Sequence, residues 1–386
     1  MKKQDQMQMK KQNKYIVLDA IRQMAPVSRI QLSKYTKMSP TTITRIVQEL
    51  EQEGFLYEGL TEETLIGRRP TLIHLRGDAL FTIGIEIDCF VIKIGIVDFI
   101  GELLDFKEVK CNVKNHYEDA LDIIQHSVNE LLEANAVSTE KLQGIGIGIP
   151  GVINHDEGIV LSSEQLLWRN CNIASDLKEK FDCDVVVDNE LKMQILAEIG
   201  DVYAPTFSNC ILVGIGTGIG ASILLDGELY RGTHNRAGEI SHITVNLEGD
   251  GEHCHCGKRG CLSLYISESA LLKRAPKNID SIEQLAMSMI AKEHWALEIQ
   301  QDVALYLAVA INNLACLYEP EAIIVSGEMV EHNELFQQEL REMCSQYIWS
   351  DIQQHFDLQF SNQAKVGVVK GAALQIQKQV INYASA

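Results

Sequence analysis

The chain has 386 residues, 46% of them apolar, and a formal net charge of −19; that is enough for two or three folded domains. Charge or glycine breaks every apolar run short of a bilayer's thickness, and the opening Met-Lys-Lys-Gln-Asp-Gln-Met lacks the apolar stretch of a secretory signal. Taken whole, the acidity argues against nucleic acid, but Met1 to Arg76 carries 13 Lys+Arg against 8 Asp+Glu, a net of +5, and the remainder 21 against 45, a net of −24. A basic head on an acidic body suits a DNA-binding module joined to a second function.

The head begins with a helix predicted over Lys14 to Met24, with Val17, Leu18, Ile21 and Met24 on one side, broken by Pro26. Ser28 with Gln31 three residues on forms a capping box for a second helix, whose Leu32 and Tyr35 should face inward. Ser39-Pro40 opens a third, with Ser39 as N-cap and Pro40 where a missing N–H costs nothing. Its apolar positions Ile43, Ile46, Val47 and Leu50 make one buried face. Thr41, Thr42, Thr44 and Arg45 are left on the other side, and Gly54 ends the helix. This is the pattern of a helix-turn-helix, in which short hydroxyls and an arginine reach phosphates and base edges. Phe55-Leu56-Tyr57 and Thr71 to Leu75 then form strands around Gly67-Arg68-Arg69-Pro70. The result is a winged variant, with Arg68 and Arg69 suited to phosphate or minor-groove contact. The winged domain is taken to span 1–76.

The body, 77–386, is α/β. Leu80 to Val109 is a meander of strands, and a second copy of the theme starts at Cys210, each copy turning at Gly-Glu-Leu. Between them lie an amphipathic helix at Tyr117 to Asn135 and strands at Gly144 to Ile149 and Val185 to Val187. Later come a helical stripe of Val303, Leu307, Ala310, Leu314 and Leu317, a strand at Glu321 to Val325, and a terminal helix opening near Lys370 that should pack back on the first lobe. A duplicated lobe, roughly 77–205 with the terminal helix and 206–370, predicts a ligand cleft between the halves.

Cys254, Cys256 and Cys261 place three thiols within eight residues, with Gly257 and Gly260 between the last two. Three thiolates and one imidazole satisfy structural zinc, with His242, His253 and His255 as candidate fourth ligands. Ten cysteines around such a site fit a reducing cytoplasm better than a disulfide framework.

Five motifs in order give the chain its resemblance to the ROK family (repressors, open reading frames and kinases). They are Gly148-Ile149-Pro150-Gly151, Val187-Asp188-Asn189-Glu190, Gly214 to Gly220, Ala237-Gly238-Glu239-Ile240-Ser241-His242, and Cys254 to Cys261. With its helix-turn-helix head the chain looks like the N-acetylglucosamine and xylose repressor branch. The resemblance implies the two-lobed actin-like, ribonuclease-H-like sugar kinase fold. It also implies zinc held by His242, Cys254, Cys256 and Cys261, and a sugar effector held by Asn189, Glu190, Glu239 and His242.

The chain departs from the family's kinases at several positions. The first phosphate loop, Asp-Ile-Gly-Gly-Thr in kinases, is Glu86-Ile87-Asp88-Cys89-Phe90, where a carboxylate repels phosphate and a ring fills the threonine's space. The Asn-Asp pair that supplies the kinase base is Asn189-Glu190, one methylene longer, and the following asparagine is Lys192. A sugar-binding glutamate two residues past the last zinc cysteine is Ser263, and the glycine-rich turn near the C-terminal nucleotide site is Ser326-Gly327-Glu328. The glycine run Gly214 to Gly220 survives and is read as a hairpin turn. The expectation is therefore a regulator with no catalytic residues, most simply a repressor of carbohydrate genes. It should bind an operator as a homodimer or higher assembly and act in the cytoplasm away from membranes. A working sugar kinase is the rival reading.

Overall fold

Ser28 and Ser39 open two helices of the head as their side chains predict. The computed structural model describes residues 2–60, 71–201, 204–216, 218–247, 252–363 and 365–385. The head comprises α1 (Lys2–Met24), β1 (Val27–Ser28), α2 (Arg29–Thr36), α3 (Pro40–Gln52), β2 (Leu56–Leu60) and β3 (Thr71–Leu75). Ser28 Oγ accepts from the Gln31 N–H while Gln31 Oε1 accepts from the Ser28 N–H, closing the capping box. Ser39 Oγ accepts from the Thr42 N–H at 3.1 Å, with Pro40 in the first turn. Ile43, Ile46, Val47 and Leu50 are fully buried beneath α3, as are Val17, Ile21 and Leu32 from the two helices it packs on.

Three details of the head differ from expectation. The first helix starts at Lys2, since nothing in its polar first half breaks it. Tyr35 is 55% exposed, its hydroxyl donating to Gln23 Oε1 at 2.7 Å instead of entering the core. The sheet gains β1, which pairs Val27 with Ile73 and gives the order β1-β3-β2. Arg68 and Arg69 lie outside the described residues.

The chain continues through β4 (Phe81–Ile87), β5 (Val91–Asp98), β6 (Leu103–Lys110), α4 (Tyr117–Ala134), β7 (Leu142–Ile149), β8 (Val152–Asn154), β9 (Ile159–Ser163) and β10 (Trp168–Cys171). After these come α5 (Ile173–Phe181), β11 (Asp184–Asn189), α6 (Glu190–Glu198), β12 (Gly200–Asp201) and β13 (Ala204–Pro205). The main sheet runs β11-β7-β4-β5-β6, with β4, β7 and β11 parallel and β4-β5-β6 an antiparallel meander.

Next come β14 (Cys210–Ile215), β15 (Ile219–Leu225), β16 (Glu228–Leu229), α7 (Ser263–Ile266), α8 (Glu268–Leu272), α9 (Ile282–Ile290) and α10 (His294–Tyr318). They are followed by β17 (Ala322–Ser326), α11 (Glu334–Tyr347), α12 (Ser350–Gln353), β18 (Asp357–Phe360) and α13 (Gly367–Ser385). The order β16-β15-β14-β17-β18 repeats the first sheet strand for strand, an antiparallel meander continued by parallel strands. On α10, Val303, Leu307, Ala310 and Leu314 are buried, whereas Leu317 is 76% exposed. That stripe outruns the core in the helix's last turn, just before Glu319 turns left-handed.

Two compact units result: Met1–Pro205 with Val369–Ala386, and Thr206–Val368. Most of α13 therefore belongs to the first unit. It fits because β4 and β7 offer glycine there. A Cβ on Gly84 would stand 1.7 Å from the Val369 carbonyl oxygen, and one on Gly146 1.9 Å from that of Ala372. Helix backbone rests directly on sheet backbone at these points, a close approach that only glycine permits.

Candidate functional site

A thiol–imidazole cluster stands in the second unit. The chain reaches it through Gly238, whose φ of +96° and backbone approach to Ala221 (a Cβ would lie 1.8 Å from that carbonyl oxygen) exclude a side chain. Ile240 to His242 then form a single 3-10 turn that presents His242. The Cys254 N–H donates to the Lys258 carbonyl and the Gly257 N–H to that of Cys254, each at 2.8 Å, which folds Cys256 back beside Cys254. One ligand atom from each of His242, Cys254, Cys256 and Cys261 lies within 4.8 Å of every other.

Cys254 Sγ is 3.6 Å from His242 Nδ1, and Cys256 Sγ is 3.6 Å from Cys261 Sγ. Zinc–sulfur bonds of about 2.3 Å at tetrahedral angles would set sulfurs about 3.8 Å apart, so the donors already stand near the edges of such a tetrahedron. Burial raises the Cys254 thiol, but hydrogen bonds from the Cys256 backbone, the Ser263 hydroxyl, Cys256 and His242 outweigh it and bring it down to about 6. Cys261 is pushed the other way, up to about 12, by burial and its two thiol neighbours. A set with one readily formed thiolate and soft donors around it fits a divalent, thiophilic metal. Of the rival histidines, His255 adjoins the group without joining its four mutually close donors, and His253 points to an arginine. His255 Nδ1 is 3.8 Å from Cys254 Sγ with its ring edge-on to His242, and His253 Nε2 accepts from Arg259 Nε. Ser263, noted in the sequence only for a missing carboxylate, touches Cys254 Sγ at 3.5 Å.

Asn189 and Glu190 stand on the first unit, Glu239 and His242 on the second. Asn189 caps α6, its Oδ1 accepting from the Leu191 N–H at 3.1 Å. Its Nδ2 donates to Glu190 Oε2 at 2.9 Å and to the Gly151 carbonyl at 3.4 Å, joining two of the sequence motifs. Burial pushes the Glu190 carboxyl up to about 7; Glu86 and Asp88 add to the push, and its own backbone N–H and Lys192 oppose it. Burial also raises Glu86, against the opposing charge of Lys93 at 3.1 Å. Glu239 is exposed and leads into the 3-10 turn, while His242 is half-buried.

Between β4 and β5 the chain turns tightly, the Asp88 N–H donating to the Val91 carbonyl at 2.9 Å. Phe90 is 63% exposed. Its ring therefore packs into no core, and the change in this loop rests on the missing glycines and the Asp88 carboxylate. The glycine run from Gly214 to Gly220 is a hairpin, with Gly214 opposite Gly220 and Ile215 opposite Ile219.

On the head, Thr41 and Arg45 are exposed on the outer side of α3. Thr42 Oγ1 is 2.8 Å from Ser39 Oγ and Thr44 Oγ1 donates to the Pro40 carbonyl at 2.9 Å, so these two hydroxyls already serve the first turn. Lys34 and Lys37 are exposed beside the turn into α3 and form no ion pair among the described residues. They escaped the sequence reading, although the run Ser-Lys-Tyr-Thr-Lys before the Ser39 cap carries the signal. Acid on α3 is answered by α1, with Lys10 pairing to Glu49 and Lys14 to Glu53. Among the described residues, no helix is long and apolar enough to cross a membrane.

Comparison with known proteins adds to this geometry. The sequence model of the ROK family matches residues 82–379, and that of the MarR family matches residues 11–58. A xylose repressor of Caldicellulosiruptor bescii is 30% identical over 354 residues, covering 88% of each chain. A solved ROK family transcriptional regulator, described as a homolog of the E. coli MLC protein, superposes with a TM-score of 0.82 at 25% identity over 98% of both chains. A glucokinase of Streptomyces griseus, solved with glucose and AMPPNP, gives a TM-score of 0.66 at 24% identity. It covers 78% of this chain and 99% of its own, a likeness of fold that stops short of the full chain.

Proposed function

Because the chain belongs to the ROK family, we propose that it is a DNA-binding transcriptional repressor of carbohydrate genes, controlled by a sugar or sugar derivative. The observation that carries this is the intact head, whose capped α3 turns Thr41 and Arg45 outward. A second support is the likeness to a named xylose repressor across head and body alike. Arg45 reads base edges from the major groove, while Lys34 and Lys37 hold phosphates, the role the sequence also gives to Arg68 and Arg69. One small head buries too little surface for tight specific binding, so the protein acts as a homodimer or higher assembly on a two-fold site. It works in the cytoplasm.

The residues proposed to bind the effector are Asn189 and Glu190 on the first unit and Glu239 and His242 on the second, acceptors and donors suited to hydroxyls. Zinc would be held by His242, Cys254, Cys256 and Cys261. It would contribute folding energy and fix the His242 ring, since four protein donors leave no open position for chemistry. Loss of the glycines at Asp88-Cys89-Phe90 and the longer Glu190 carboxylate argue against phosphoryl transfer.

The test is an anisotropy titration of the protein on DNA from upstream of its own gene, with and without a panel of sugars and sugar phosphates. Specific binding that one panel member shifts, and that Glu239→Ala desensitises, is the expected result. Failure to bind any such DNA above competitor level removes the repressor reading. Turnover of ATP with a hexose at roughly 1 per second or faster would install the kinase instead.

A further inference from the structure

Arg22 lies in the last turn of α1 and is only 8% exposed. A guanidinium keeps its charge, so burying it is costly unless it is met by good partners. The partners come from far along the chain. Arg22 Nη2 donates to Gln377 Oε1 at 2.8 Å, and the guanidinium lies over the Phe99 ring, 4.6 Å from its centroid. Gln377, fully buried on α13, uses its amide in the other direction, Nε2 donating to the Asp98 carbonyl at 2.9 Å. Phe99, also fully buried, donates its N–H to the Gly77 carbonyl at 3.0 Å, and its ring centroid is 5.3 Å from that of Phe55. The end of α1, the entry to β2, the turn between β5 and β6, and α13 thus meet at one buried point. A flexible tether between head and body would need none of these contacts.

Nearer its start the same helix touches α6, the helix that begins at the motif residue Glu190. A Cβ on Gly371 would stand 1.7 Å from the carbonyl oxygen of Met193 in α6, so α13 and α6 cross backbone to backbone. Glu190 is the first residue of α6 and Asn189 its cap. From Gly371 to Gln377 is about 9 Å of helix. Asn189–Glu190, α6, α13, Arg22, α1 and α3 are therefore linked by direct contacts, all inside the first unit.

We infer that Arg22 and Gln377 form a clamp that fixes the DNA-binding head on the first lobe, and that displacement of α6 reaches α3 through it. The clamp stands on the contacts alone. The relay rests on the effector reading given above. Arg22 is a positioning residue: it acts on DNA through the orientation of α3.

The experiment uses the full-length protein and the double variant Arg22→Met/Gln377→Leu, which removes both partners of the Arg22–Gln377 hydrogen bond together. Arg22→Gln, which keeps a hydrogen-bonding end, is the milder variant should the double one fail to fold. Without DNA or sugar, hydrogen exchange at the Phe99 amide should rise by about tenfold or more, with α10 unchanged. On DNA, the two half-sites are moved apart by one or two base pairs. Wild type should lose about tenfold or more in affinity, and the variant about threefold or less, because a loosened head follows its half-site. With the sugar that shifts wild type by roughly 5–150-fold, the variant should bind the sugar as before but shift by about twofold or less. Wild-type exchange and wild-type spacing tolerance in the variant would overturn the clamp. A full sugar-induced shift in the variant would overturn the relay. If no sugar moves wild type, the effector reading and its relay fail together, while exchange and spacing still decide the clamp.

Discussion

The side-chain amide of Asn189 donates to the Glu190 carboxylate at 2.9 Å while its oxygen caps α6, so the two residues are held as one rigid pair. Glu190, raised by burial to about 7 from an ordinary value of 4.5, binds its proton more tightly in the folded protein than in the unfolded chain. Its contribution to stability is therefore full below pH 4.5 and is lost as pH rises through about 7. Urea unfolding of wild type and Glu190→Gln between pH 5 and pH 8 should show the variant gaining on wild type as pH rises. A constant difference across that range would mean that the carboxyl titrates normally.

Metal content offers a second measurement. Purified wild type should carry about one zinc per chain, and Cys256→Ser well under half of that, with a lower melting temperature. Cys316→Ser, an exposed thiol outside the cluster, serves as the control and should change neither. Equal zinc in wild type and Cys256→Ser would remove Cys256 from the ligand set.

For DNA, Arg45→Ala should cost about 1–3 kcal/mol of specific binding and relax the preference at one base position. Lys37→Ala should weaken all sequences alike and reduce the slope of log affinity against log salt by about 1. Anisotropy titrations at several salt concentrations separate the two. An unchanged slope for Lys37→Ala would place that residue off the phosphates.

The glycine face of the first sheet predicts a stability effect far from any ligand. Gly146→Ala sets a methyl 1.9 Å from the Ala372 carbonyl oxygen, which rigid backbone cannot yield cheaply, so a loss of about 1–3 kcal/mol or more is expected. Gly216→Ala, with nothing within 4 Å, should stay within about 0.5 kcal/mol of wild type. Urea titration of both decides it; a neutral Gly146→Ala would mean that α13 does not rest on β7.

Much of the fold was legible because its signals are local. Ser28 with Gln31, and Ser39 with Pro40, each state a helix start within four residues, and the structure forms both caps. The duplicated meander could be read from two alternating runs that turn at the same tripeptide, Gly-Glu-Leu, and the two sheets repeat one strand order. Apolar spacing served less well where a helix outlasts the core it lies on, as at Tyr35 and Leu317. The clustered thiols were visible because all three lie within eight residues. Arg22 and Gln377 were not, since 355 residues separate them and neither carries any mark of its partner. In one dimension Arg22 looks like any basic residue of a positively charged head.

The seating of α13 also sets an order of assembly on the ribosome. The head and the first sheet emerge early, yet the glycine faces of β4 and β7 stay uncovered until the whole second unit has been made and Gly367 onward follows. Translation thus delivers the closing piece of the first unit only after the whole of the second. A nascent chain stalled before that point carries a winged head whose Arg22 lacks Gln377, and an open backbone groove on the sheet. Such a chain has a head without its full seat on the first lobe, so completing α13 and fixing the DNA-binding head become one event.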